Sequence, residues 1–217
     1  MKYILWDWNG TLLDDVDACI NSMNVLLARR SIAAIDKASY IRLFIFPVVE
    51  YYKRLGFNFD KDSFEQLSME FVTEYKKFSV TSRLYPGAEA VLEQLKHLNY
   101  TQTVISAMQQ SGLIEQISSN NISGYFKDIV GLKDIYAASK VTNALNYIKD
   151  QNIDIQNVTF IGDTYHDYEV SKAIGCKCIL ISNGHQIIDS DMAPESHIFT
   201  NISEVLDVFE SLSISKR

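Results

Sequence analysis

The period of the hydrophobic positions changes twice along the chain. Residues 2–7, KYILWD, are a short apolar run ending in a carboxylate, the pattern of a buried β-strand. Past Gly10 and Thr11 the spacing becomes helical. It runs through Val16, Ile20, Met23 and Leu27, resumes at Tyr40, Leu43, Phe44, Val48, Tyr51, Tyr52 and Leu55, and continues at Phe64, Leu67, Phe71, Tyr75 and Phe78. About three helices are predicted there, with no strand between them.

From residue 83 short apolar runs alternate with helical stretches. Pro86 suits the first turn of a helix carrying Val91, Leu92 and Leu95. Strands are predicted at 101–106, 127–131, 157–163 and 176–182, and helices at 111–118, 139–149 and 166–174, with Ser139 as an N-cap. Asn201 followed by Glu204 has the spacing of a capping box at the start of a last helix. Such alternation predicts an α/β fold with a Rossmann-like, doubly wound parallel sheet. The first strand belongs to that sheet. The expected organisation is therefore a core of residues 1–13 and 83–217, interrupted by an inserted α-helical domain of 14–82.

Composition narrows the partners. The chain has 217 residues, 47% hydrophobic and 22% charged, as in an ordinary soluble protein with room for one domain and an insert. A net charge of -7 with no basic block argues against a nucleic-acid partner. No apolar run is long enough to span a bilayer, so no membrane partner is expected. Cys19, Cys176 and Cys178 lack the spacing of a metal site or a disulfide framework, and the Cys176–Cys178 pair reads as buried strand. The first residues lack the apolar core and cleavage site of a signal peptide, so a cytoplasmic location is expected.

The candidate chemistry gathers at strand ends, where open α/β sheets place their ligands. Asp7, Ser106 and Asp163 each end a predicted strand, Lys140 opens a helix, and Asp167 follows Asp163 by one helical turn. Two carboxylates at strand ends with a third one turn on make a hard oxygen site suited to Mg²⁺. Asp7 can then attack phosphorus and form an aspartyl-phosphate, splitting one difficult displacement into two easier ones. Lys140, Ser106 and Thr11 would stabilise the phosphoryl oxygens, together with backbone N–H groups after Asp7 and Ser106, the second being that of Ala107.

Four segments, DWNGTLLD, VISA, SKV and GDTYHD, stand in that order. They resemble the four ordered motifs of the haloacid dehalogenase superfamily: DxDGT, a strand-end Ser or Thr, a Lys, and GDxxxD. The resemblance covers essentially the whole chain, including the insert, which looks like the family's helical cap. It is strongest to the phosphoglycolate-phosphatase-like branch. It implies a Mg²⁺-dependent phosphatase for a small phosphorylated metabolite, phosphoglycolate-like or a sugar phosphate, with the cap closing over it. Asp7 matches the nucleophile, Ser106 and Lys140 the phosphate-binding pair, and Asp163 and Asp167 the metal carboxylates. Lys133 is a rival for the motif lysine, but the Ser139–Lys140 pair at a helix start fits better.

Asn9 departs from the pattern. It holds the place of the family's general acid/base, and an amide neither gives nor takes that proton. Its backbone carbonyl can still serve the metal. Loss of general acid/base help costs about 10²–10⁴-fold in rate, most of all for alkyl phosphates. Three readings follow. The first is a slowed or respecialised phosphatase, with His166 beside Asp167 as a candidate substitute. The second is a P–C bond hydrolase similar to the phosphonoacetaldehyde hydrolases, which also place Trp after the nucleophile and use a Schiff-base lysine in the cap. Lys53 would be that lysine, in competition with Lys37, Lys61, Lys76 and Lys77. The third is a phospho-ligand-binding protein without catalysis, against which the retained Asp7, Lys140, Asp163 and Asp167 weigh.

Other residues have plainer roles. Asp14 and Asp15 suit the first turn of a helix. Phe44, Phe46, Tyr51 and Tyr52 have the spacing of packing within the cap, Arg42 reads as solvated, and Gly184–His185 as a loop near the site.

Overall fold

The structure, a computed structural model, describes residues 2–133 and 139–214. Strand β1 (Lys2–Trp6) leads to the two-residue strand β2 (Leu13–Asp14). Helices α1 (Val16–Arg29), α2 (Lys37–Leu43), α3 (Val48–Leu55) and α4 (Phe64–Phe78) follow, and then strand β3 (Arg83–Leu84). The remainder alternates: α5 (Ala88–His97), β4 (Tyr100–Gln109), α6 (Gln110–Ser119), β5 (Asp128–Leu132), α7 (Lys140–Asp150), β6 (Val158–Gly162), α8 (Tyr165–Ile174), β7 (Lys177–Ile181), β8 (Ser196–Phe199) and α9 (Val205–Ile214). Contacts divide the chain into two compact units, residues 1–13 with 84–217, and residues 14–83.

The first unit is the α/β core. Its six strands lie in the order β5–β4–β1–β6–β7–β8, every neighbouring pair parallel. Alternation along each strand assigns its two faces. Ile4, Trp6, Val104 and Ile161 pack with α5, α6 and α9, through residues such as Leu92, Leu113 and Phe209. Leu5, Ile105 and Phe160 pack instead with α7 and α8, through Ala144, Ile148 and Val170. Helices therefore cover both faces, as the doubly wound expectation requires. Strand β1 is the switch point. The chain builds outward from it to β4 and β5, then crosses to β6, β7 and β8 on the other side.

Local signals hold at several helix ends. The Ser139 hydroxyl accepts the Thr142 N–H, and Asn201 and Glu204 form the reciprocal capping box, closing a 3-10 turn before α9. Two features differ from expectation. Strand β8 adds an edge that SHIF, short and only partly buried, did not announce. Strand β4 runs past Ser106 to Gln109, with its register against β5 broken between Ile105 and Gln109, a local irregularity that re-aims the chain.

The second unit is the helical cap. Its middle stretch is two helices and not one, because Pro47 lacks an amide hydrogen and forces Phe46 away from helical geometry. Helix α1 packs chiefly along α4. The ring of Tyr51 meets those of Tyr40, Phe44 and Tyr52 at centroid distances of 5.8, 5.3 and 6.0 Å, and Phe46 meets Phe44 at 5.3 Å, so the aromatic stripe packs within the cap. Among the described residues, no helix is long and apolar enough to cross a membrane.

Arg30 ties α1 to the rest of the cap. Its guanidinium donates to Asp62 at 2.9 and 3.0 Å and to Glu70 at 2.9 and 3.1 Å. Hydrogen bonds from Arg30 are the largest of the influences that hold the Glu70 carboxyl at about 2. Because that value is depressed on folding, its stabilising contribution is complete above the ordinary carboxylate range and fades as pH falls towards 2. Urea unfolding of the cap, followed between pH 5 and pH 2.5, should lose stability on that limb, and Glu70→Gln should flatten it. Equal acid sensitivity in the variant would show that other carboxylates govern it.

Candidate active site

Parallel strands in register bring their carboxyl ends to one edge, and this is where the motif residues converge. Asp7 follows β1 directly, its N–H donating to Ile161 O at 2.8 Å, and Asp163 follows β6. Both are buried, as are Thr11, Ser106, Lys140 and Asp167. The turn after Asp7 is tight, with the Trp8 carbonyl accepting from Leu12 N and Leu13 N, each at 3.0 Å. Gly10 makes that turn at φ +76°, and a Cβ there would lie 2.3 Å from Asp163 Oδ2. Only glycine meets both demands.

Lys140 is the hub. From the first turn of α7 its ammonium donates to Asp7 Oδ1 and, at 2.5 Å, to Asp167 Oδ1. Thr11 Oγ1 lies 3.1 Å from both Asp7 Oδ2 and Asp163 Oδ1. Asp167 closes a capping box at the start of α8: its Oδ2 accepts from Thr164 Oγ1 at 2.7 Å and Thr164 N at 3.0 Å. Lys133, the rival lysine, is exposed.

One oxygen from each of Asp7, Asp163 and Asp167 falls within 4.8 Å of the other two. Three buried carboxylates share one ammonium, and the electrostatics reflect the imbalance. Burial pushes Asp163 up to about 8 and Asp7 up to about 6, in the second case against the pull of Lys140. Burial also works against ionised Asp167, but Lys140 and the Thr164 hydrogen bonds outweigh it and hold this carboxyl below its usual range. A divalent cation relieves this crowding of negative charge, and an all-oxygen donor set suits a hard ion such as Mg²⁺. The residues present fit the metal.

Other expected residues take more modest places. Ser106 is buried on β4 beside β1, its Oγ accepting from Met108 N at 3.1 Å, and Ala107 after it is exposed. Asn9 is half-buried and bridges to Leu13. His166 turns its ring to Glu169 at 3.1 Å. Trp8 is fully buried and donates its indole N–H to Gln116 Oε1 at 2.8 Å, so this tryptophan is core. All five cap lysines are exposed, and Lys53 pairs with Glu50 at 2.7 Å. A Schiff-base lysine needs desolvation or a cationic neighbour to lower its pKa, and neither surrounds Lys53 in the cap.

The loop after β7 matters more than its sequence suggested. The His185 N–H donates to Asp163 Oδ2 at 2.6 Å, and its ring is buried against Gly10. A Cβ on Gly184 would lie 2.1 Å from the same oxygen. The glycine before the histidine was the available signal, but only the closed loop reveals what it approaches.

The model of the family described as haloacid dehalogenase-like hydrolase matches residues 4–181, most of the chain. The chain belongs to this family. As a haloacid dehalogenase-like hydrolase it carries the family's acidic cluster and places Asp7 at the nucleophile's position, the arrangement of Mg²⁺-dependent phosphatase chemistry. It is similar to a phosphoglycolate phosphatase of Neisseria meningitidis, 26% identical over 85% of this chain and 82% of that one. It is comparably similar to an N-acetylmuramic acid 6-phosphate phosphatase of Pseudomonas putida, 25% identical over 85% and 84%. In three dimensions it resembles a haloacid dehalogenase-like hydrolase of Streptococcus pneumoniae with a TM-score of 0.83, at 20% identity over 96% and 98% of the two chains.

If the carboxylate cluster holds the cation, Mg²⁺ should raise the thermal unfolding temperature, corresponding to about 2.7 kcal/mol at a hundredfold excess over Kd. Asp163→Asn should remove most of that shift, and Gly184→Ala should reduce it by displacing Asp163. Differential scanning fluorimetry with and without EDTA checks this; an identical shift in Asp163→Asn would place the cation elsewhere.

Proposed function

We propose that this hydrolase is a Mg²⁺-dependent phosphomonoester phosphatase for a small phosphorylated metabolite, with Asp7 as nucleophile. The observation that carries the reading is the buried Lys140 ammonium bridging Asp7 and Asp167, with Asp163 beside them. It aims one carboxylate at the open end of the switch-point strand and leaves the other two to hold a cation. Phosphatase names among the relatives support the same class.

In this mechanism a carboxylate oxygen of Asp7 bonds to phosphorus while the ester P–O bond breaks and the alkoxide departs. Water then attacks phosphorus, the bond to Asp7 breaks, and inorganic phosphate leaves. Asp7, Asp163, Asp167 and the Asn9 backbone carbonyl would hold Mg²⁺, which when bound offsets repulsion between the nucleophile and the phosphate dianion. Lys140 keeps Asp7 ionised and oriented, and the Thr11 hydroxyl and the backbone N–H groups of Trp8 and Ala107 supply hydrogen bonds to phosphoryl oxygens.

Asn9 sets the character of the enzyme. With no carboxyl at that position, the departing alkoxide takes its proton from solvent or substrate, and water attacks without a carboxylate base. Leaving groups that are stable as anions are least affected.

Steady-state phosphate release from a panel of esters, with Mg²⁺, tests this. Asp7→Ala should abolish turnover on every ester. Asn9→Asp should raise kcat on alkyl phosphates by about 10–100-fold and on p-nitrophenyl phosphate by less. No phosphate release above the Asp7→Ala control would overturn the reading; an unchanged rate in Asn9→Asp would show that another group already moves the proton.

A further inference from the structure

The cap contains a buried hydroxyl that its own residues do not satisfy. Tyr51, on α3, is 2% exposed, and its phenol oxygen has no hydrogen-bond partner among the described residues. A buried polar group left unpaired costs about 1–3 kcal/mol, and such groups in native structures call for a ligand or a bound water. The neighbouring phenol of Tyr75 is differently placed, donating to Asp15 Oδ2 at 2.6 Å. Cys19 Sγ lies 3.7 Å from that same oxygen. Burial, with a further contribution from Cys19, holds the Tyr51 phenol above its usual range, so it stays a neutral hydroxyl able to donate.

The walls around Tyr51 define what suits it. Tyr40 and Phe44 stack at 5.3 Å and both rings meet Tyr51, giving an aromatic surface with one free polar group on it, the composition of a small-ligand subsite. Positive charge is not on offer. Every lysine and arginine of the cap other than Arg30 is exposed, and Arg30 is held by Asp62 and Glu70. The buried carboxylate of Asp15 is an acceptor, favourable to hydroxyl groups and repulsive to an acid. The two relatives divide on this point, since one is named for a two-carbon acid ester and the other for a sugar ester.

We infer that Tyr51 is a specificity-determining residue whose hydroxyl donates to a neutral, hydroxylated alcohol part of the ligand, of the sugar or polyol class, in preference to a carboxylated one. The inference deepens the phosphatase reading by naming the substrate class, and it rests on that reading for the phosphate end of the ligand.

Equilibrium binding separates the two, because it needs no turnover. Titration calorimetry on full-length, Mg²⁺-loaded protein carrying Asp7→Asn would compare glucose 6-phosphate and 2-phosphoglycolate as probes. Glucose 6-phosphate should bind more tightly. Adding Tyr51→Phe should weaken it by roughly 5–50-fold while changing 2-phosphoglycolate less than about threefold. The same substitution should leave the melting temperature unchanged or raised, since it removes an unsatisfied group. Tighter binding of 2-phosphoglycolate would overturn the inference. So would equal effects of Tyr51→Phe on both probes, including none on either, or a melting temperature several degrees lower, which would reveal a protein partner for the hydroxyl.

Discussion

Three carboxylates buried around one ammonium are the constraint on which the core of this protein depends. Charges taken out of water must be paired or bound, and a single lysine cannot neutralise Asp7, Asp163 and Asp167 together. The surrounding fold is arranged to hold the excess negative charge in place. Thr164 and the first turn of α8 fix Asp167, the loop after β7 turns a backbone N–H onto Asp163, and Gly10 gives up its side chain so that Asp163 can come close. The parallel sheet supplies the geometry, since β1 lies between β4 and β6 and all three deliver residues to one edge. Stability is sacrificed locally, and a cation restores it.

Residues that act locally were legible from the chain. Ser139 and the Asn201–Glu204 pair cap helices within three or four residues of themselves, and Asp7, Lys140, Asp163 and Asp167 sit where strands end or helices begin. Parallel registration then brings together positions far apart in sequence without further information. What was not legible depends on contacts that no local pattern encodes. His185 reaches Asp163 across 22 residues, through a loop whose path periodicity does not describe. Tyr75 reaches Asp15 across 60, so an acid that suited a helix start is also a buried hydrogen-bond acceptor. Strand β8 is short and half-buried at a sheet edge, and Pro47 divides a continuous helical pattern that the hydrophobic spacing alone runs together.

Asn9 changes meaning in this setting. It leaves the charge cluster intact because none of the three clustered carboxylates is lost, and its backbone carbonyl remains. The side-chain substitution touches proton transfer only. A hydrolase organised in this way should form its covalent intermediate more easily than it discharges it, since water must attack without a carboxylate base nearby. The tryptophan beside it, which invited comparison with P–C bond hydrolases, belongs to the core through Gln116, and the cap lysines stand in solvent.

The covalent intermediate itself is therefore the most direct measurement. Protein mixed with a phosphate ester and Mg²⁺, quenched in acid within the first turnovers and analysed by peptide mass spectrometry, should carry one phosphoryl group on Asp7. The same treatment of Asp7→Ala should give none. Phosphate release with no phosphoryl group on Asp7, or with the group on another residue, would contradict the account.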